Sequence, residues 1–126
     1  MTTNQLPAKI DQLFRPLCRP VKPAAVPTIR QTIDNYQQQI QTRLSHNEFL
    51  DLQTAEMISQ RLHFLLDRYA TYPAAQQALI IGAARYFIKE DDAEHDTHAF
   101  LGLDDDALVV NYVLDVTGHS DQTISL

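Results

Sequence analysis

Apolar residues recur along the chain at three- and four-residue intervals, and the places where that rhythm stops divide it into about five helical segments. Leu6, Ile10, Leu13, Phe14 and Leu17 share one face of a short first helix, with Thr3 available as its cap and Pro7 early enough to be tolerated. Pro16, Pro20, Pro23 and Pro27 then interrupt the pattern. Proline fixes one torsion and removes a backbone donor, so residues 16–27 read as an extended or turn-like linker, with Pro27 suited to the first turn of the next helix. That second helix carries the stripe Ile29, Ile33, Tyr36, Ile40 and Leu44, while Gln37, Gln38, Gln39 and Gln41 mostly face water.

Ser45-His46-Asn47-Glu48 has the spacing of a capping box, in which the serine and glutamate side chains each satisfy a free amide at a helix start. A third helix follows through Leu52, Ala55, Ile58, Leu62, Leu65, Leu66 and Tyr69, with a weak point near Gln53 and an end near Thr71. Pro73 opens a fourth, at 74–89, whose centre from Ala78 to Ala84 is apolar around most of its circumference, as in a helix surrounded by others. Glycine costs about 1 kcal/mol against alanine inside a helix, so Gly82 points to a close helix crossing. Residues 107–116 are rich in valine, yet a lone ten-residue strand has no sheet to join. A helix fits better, with Asp104 or Asp105 as its cap and Gly118 as its terminator. The fold class expected is all-α: a single domain over residues 1–126, a bundle of about five helices around the apolar segment 74–89.

Composition sharpens this only in part. Cys18 has no second cysteine to pair with, which excludes an internal disulfide and fits a reducing compartment. No run approaches the ~18 apolar residues of a membrane span, and the first residues lack the basic and apolar regions of a secretory signal. The expectation is a cytoplasmic protein.

Charge is more informative. All ten Lys and Arg lie between Lys9 and Lys89, against six acidic residues there, whereas ten of the sixteen acids lie from Glu90 onward. The first part therefore carries about +4 and the second about −10. Such a surface repels a nucleic-acid backbone and favours basic proteins, cations or cationic ligands.

The acidic stretch runs Tyr-Phe-Ile-Lys-Glu-Asp-Asp-Ala-Glu-His-Asp-Thr-His-Ala-Phe-Leu-Gly-Leu-Asp-Asp-Asp-Ala from Tyr86 to Ala107. Over residues 83–113 it resembles the YkvA-like family, a bacterial family of domains of unknown function. Its hallmark is a tyrosine near a helix end, an aspartate, a Pro-Asp pair, then glycine and two aspartates opening a helix. Tyr86, Asp92, Asp96, Gly102, Asp105 and Asp106 fall on that pattern without a gap. The chain departs from it where Glu90, His95 and Ala99 replace prolines, and where Asp91, Glu94 and His98 replace apolar residues. The resemblance implies a helical fold more than an activity.

Three readings of the aspartates stand side by side. Asp92 and Asp96 accept backbone hydrogen bonds in a turn while Asp105 and Asp106 cap the last helix, each cap contributing about 1 kcal/mol. Alternatively, Asp92, Asp96, Asp105 and Asp106 converge on a divalent cation. Two carboxylates about 4 Å apart repel by roughly 1 kcal/mol in water and about 4 at an effective dielectric of 20, so four together need a counterion. Oxygen ligands favour Mg²⁺, Ca²⁺ or Mn²⁺, and recruiting His95 and His98 moves the preference toward Zn²⁺. The third reading makes one carboxylate a general acid or base beside His95 or His98 in a metal-assisted hydrolysis. No nucleophile elbow, phosphate loop or zinc signature accompanies them. The balance favours a non-enzymatic binding or scaffolding domain whose acidic face, Asp91 and Glu94 included, meets a basic protein.

Other residues have simpler expectations. Arg85 and Lys89 offset part of the acidic charge, His63 is a partly exposed or hydrogen-bonded histidine, and His46 belongs to the capping turn. Cys18 lies near Arg15 and Arg19, a setting that lowers a thiol pKa, but has no partner base. Tyr86 is a core residue whose hydroxyl reaches a loop aspartate.

Overall fold

The computed structural model describes residues 6–43, 49–88 and 103–125. Five α-helices follow one another: α1 (Ala8–Phe14), α2 (Val26–Arg43), α3 (Phe49–Asp67), α4 (Ala74–Phe87) and α5 (Leu103–Val116). The described residues contain no strand, and the helices form an all-α bundle. None of these helices is long and apolar enough to cross a membrane.

α4 packs against each of the other four helices. Ile80, Ile81, Gly82, Ala83 and Ala84 are all buried, as are Tyr86 and Phe87. Five successive residues sweep more than one full helical turn, so this stretch has no solvated face. The apolar run read from the sequence thus lies at the centre. Pro73 stands at the N-cap rather than inside the helix.

Residues 16–27 are more structured than a linker. They form two 3-10 turns, Arg15–Leu17 and Pro23–Ala25, and the first packs on α4. The Tyr69 hydroxyl holds the strand of chain between them, accepting from Val21 N–H at 2.8 Å and donating to Val21 O at 2.7 Å. Gly82 does mark a close crossing, made by Phe14 at the end of α1 and by Cys18 in the strap that follows it. A Cβ at Gly82 would lie 3.1 Å from Cys18 Cα, 3.0 Å from the Phe14 ring, and nearer still to Cys18 Sγ.

α1 is shorter than its apolar stripe, because the chain tightens into the 3-10 turn at Arg15 and Pro16 sits early in that turn. Pro7 takes the N-cap position, and Thr3 lies outside the described residues. Phe14 is fully enclosed and meets Tyr86 and Tyr112 edge-on at 6.5 and 6.2 Å. Arg15 fastens the same corner, its Nε donating to Asp11 at 2.8 Å and its Nη2 to the Tyr112 hydroxyl at 2.8 Å.

α2 and α3 run antiparallel, and their register is visible in one polar ladder. Arg30 meets Asp67 at 2.7 Å, His63 Nε2 meets Asp34 at 2.8 Å, and Ser59 Oγ donates to Gln37 Oε1 at 3.2 Å. His63 is thus the hydrogen-bonded histidine expected. Ile33, Tyr36 and Ile40 are buried as the stripe requires, and α3 continues through Gln53 without a break. The capping box at 45–48, with His46, and Leu44 lie outside the described residues.

The valine-rich segment is helical. α5 starts earlier than expected, so Asp104, Asp105 and Asp106 occupy its first turn instead of its cap. Its end is set by Gly118, the one described residue with positive φ (89°). His119 N–H reaches back to Leu114 O at 2.7 Å and Gly118 N–H to Asp115 O at 3.2 Å, the paired bonds of a Schellman turn. Beyond it the chain folds back along the bundle, and Ile124 is buried.

Candidate functional site at the head of the last helix

Tyr86 lies buried in the last turn of α4, and the charges of Asp106 and Asp105 in the first turn of α5 act on its phenol. Asp105 and Asp106 are successive helical residues, about 100° apart around the axis. Asp106 faces inward with 7% of its surface exposed, while Asp104 and Asp105 are open to solvent. Burial pushes the Tyr86 phenol up to about 12, and the negative charges of Asp106 and then Asp105 push in the same direction. The phenol therefore stays protonated at neutral pH. This agrees with a core role for Tyr86, and among the described residues the aspartates acting on it stand on α5; the loop aspartates expected to meet its hydroxyl lie outside the described residues.

Of the four aspartates placed together by sequence, two are described. Asp105 and Asp106 share a turn but turn their carboxylates to different sides of the helix. Asp92 and Asp96 lie outside the described residues, as do His95, His98, Asp91, Glu94 and Lys89. Among the described residues, no three His, Cys, Asp or Glu side chains are grouped so as to hold a metal ion. Arg85 is half-buried in the last turn of α4, where a cation complements the helix dipole.

Cys18 departs from expectation. Its thiol is pushed up to about 11, because burial outweighs the lowering effect of Arg15. It donates weakly to Phe14 O at 3.4 Å. The residue is a packing element against Gly82, and its environment protects the thiol rather than activating it.

Sequence reasoning missed the polar anchors of the segment after α5. His119 Nε2 pairs with the Tyr72 hydroxyl at 2.8 Å, and its ring stands edge-on to Phe64 at 4.9 Å. Arg61 Nε donates to Gln122 O at 2.6 Å. Asn111 Nδ2 donates to Ile124 O at 2.9 Å, and Ile124 N–H donates to Asn111 Oδ1 at 2.7 Å. Two of these contacts join residues 47 and 61 positions apart, so no local pattern announces them. Comparison of the chain with protein-family models, with curated proteins and with solved structures found no match.

Proposed function

We propose that this chain is a YkvA-like, non-enzymatic binding domain that presents residues 90–106 to a basic protein partner. The observation that carries this reading is the division of charge, about +4 before residue 90 and about −10 after it. Its support within the fold is that Asp104 and Asp105 are exposed at the head of α5, where they extend the acidic sequence onto a rigid helix. Side chains anchored on a helix lose less entropy on binding than the same groups on a free chain.

A labelled lysine- and arginine-rich peptide serves as the probe. Its affinity for the intact protein is expected to fall steeply as salt rises from 50 to 500 mM, and to weaken when Asp91 and Glu94 are both replaced by alanine. An affinity indifferent to salt, or unchanged in the double variant, would sink the reading. A divalent cation held by Asp92, Asp96, Asp105 and Asp106 is the second reading, supported by the run of acidic residues that leads into the first turn of α5. A cation that binds only the folded state adds about 2.7 kcal/mol at 100 times its dissociation constant. Melting in chelator and then in Mg²⁺, Ca²⁺, Mn²⁺ or Zn²⁺ tests this, and an unchanged melting temperature in all four excludes it.

A further inference from the structure

The positive excess of the first part of the chain sits entirely in its first 33 residues. Lys9, Arg15, Arg19, Lys22 and Arg30 stand there against Asp11 alone, while residues 34–89 hold five basic and five acidic side chains. Two of the first five cations are already engaged, Arg15 by Asp11 and Arg30 by Asp67. Arg19 and Lys22 are exposed on the strap, and among the described residues no carboxylate pairs with either. The backbone beneath them is fixed. Each is followed by a proline, Val21 between them is held by both hydrogen bonds of Tyr69, and Cys18 rests on Gly82. The strap leads from Gly82 toward the start of α4, where Gln77 Nε2 donates to Tyr69 O at 2.9 Å. Residues 90–105, with seven acidic side chains and no Lys or Arg, follow the other end of that helix in the chain.

We infer that the strap is a docking surface for a second copy of this chain, whose acidic residues 90–105 lie against Arg19 and Lys22. This rests on the reading of those residues as a surface for a basic protein, and it names that protein. Charge complementarity chooses the occupant. A region of about +4 and a run of seven carboxylates belong to opposite ends of α4, so unlike ends of two copies attract while like ends repel. Nucleic acid or an anionic membrane would also be drawn to the strap, but the ten acidic residues from Glu90 onward repel both. Each copy carries a net −6, which opposes approach from a distance. At 0.1 M salt the screening length is about 10 Å, so a docked pair feels chiefly the local charges on either side of the contact. With the prolines and Tyr69 holding the strap in place, Arg19 and Lys22 lose less freedom on docking than they would on a loose chain.

Sedimentation equilibrium of the full-length chain reads the association directly. At about 0.1 M salt the mean mass is expected to rise above that of one chain as concentration increases, and at about 0.5 M the association is expected to weaken about tenfold. Arg19→Glu with Lys22→Glu is expected to weaken it about as much, with the helical circular dichroism unchanged because both side chains are exposed. Arg19→Gln with Lys22→Gln serves the same purpose where the charge reversal lowers that signal. Mixing the strap variant with the Asp91→Ala, Glu94→Ala variant is expected to give stronger association than either shows alone, because an intact strap then meets an intact acidic run. Loss of fold cannot produce that recovery. A single-chain mass at every concentration overturns the inference, as does association indifferent to the strap variants or to salt. Strap-dependent binding of duplex DNA or of phosphatidylserine vesicles, by a chain that stays monomeric, also overturns it by assigning the surface to phosphate groups. If the copies stay apart while the lysine- and arginine-rich peptide still binds, this inference alone falls. If that peptide fails to bind as well, the reading of the acidic face falls with it.

Discussion

Gly82→Ala separates two opposing effects whose sizes the structure sets. In a helix exposed to solvent the change stabilises by about 1 kcal/mol, because alanine loses less backbone entropy. Here the new methyl meets the ring of Phe14 at 3.0 Å and the backbone of Cys18 at 3.1 Å, with Cys18 Sγ closer than either. Phe14 is wholly enclosed and cannot retreat, so relief requires moving the strap itself. Overpacking of this kind costs about 1–3 kcal/mol, and contact with backbone places it at the upper end. The net expectation is destabilisation by about 2 kcal/mol, which for 126 residues lowers the melting temperature by about 7 °C. Urea denaturation of Gly82→Ala, Cys18→Ala and the double variant completes a cycle. Cys18→Ala removes the nearest atom but leaves its Cα in place, so it should recover about half of the cost. A stabilised Gly82→Ala protein, or a cost that Cys18→Ala leaves untouched, would refute the close crossing of strap and helix.

Two further outcomes are expected. Tyr69→Phe removes both hydrogen bonds to Val21 and leaves that backbone unpaired against the bundle, which should cost about 1–3 kcal/mol in urea denaturation and raise proteolysis of residues 16–27. Stability should fall in alkali: the Cys18 thiol is raised to about 11 and the Tyr86 phenol to about 12, so folding favours their neutral forms. That contribution is complete below pH 9, then lost as pH rises from 9 through 12, with a slope of at most about 1.4 kcal/mol per pH unit for each group. Denaturation midpoints between pH 8 and 12 check this. Cys18→Ala should flatten the curve from 9 to 11, and Tyr86→Phe from 10 to 12.

The interior was legible because it is written in one periodicity. Ile33, Tyr36 and Ile40 on α2 are buried as their spacing demands, as are Ile58, Leu62 and Leu65 on α3. α5 shows that periodicity outranks propensity, since its valines at 109, 110 and 113 are buried on one helical face in spite of their preference for strands. The strap was misjudged for a different reason. Four prolines exclude a long helix but say nothing about packing, and the contacts of Val21 and Cys18 are made with residues far along the chain. Arg61, Asn111 and His119 were passed over because each is an ordinary polar residue until Gly118 folds the following segment back upon it. Of the candidate site, the core placement of Tyr86 was legible, whereas the aspartates read as caps stand inside the first turn of α5. That Asp106 turns inward while Asp105 turns outward was not legible, because it depends on where α5 begins.

That starting point bears on what the acidic residues can hold. The N-terminal pole of a helix carries roughly half a positive charge, and it weakens beyond the first turn. Asp104, Asp105 and Asp106 stand within that turn, so α5 itself supplies part of their counter-charge. A small cation chelated there would approach the same pole and lose part of the attraction its ligands provide. A basic protein surface instead spreads its charges along residues 90–105 and meets mostly carboxylates outside that turn. The two cases respond oppositely to ionic strength. At 0.1 M salt the screening length is about 10 Å and at 1 M about 3 Å, so dispersed contacts fade while directly coordinated ones persist. Tighter binding of the basic probe once chelator has stripped a competing cation from the same carboxylates would therefore favour the cation reading. Release by salt alone, with chelator inert, is the outcome the placement of α5 leads us to expect.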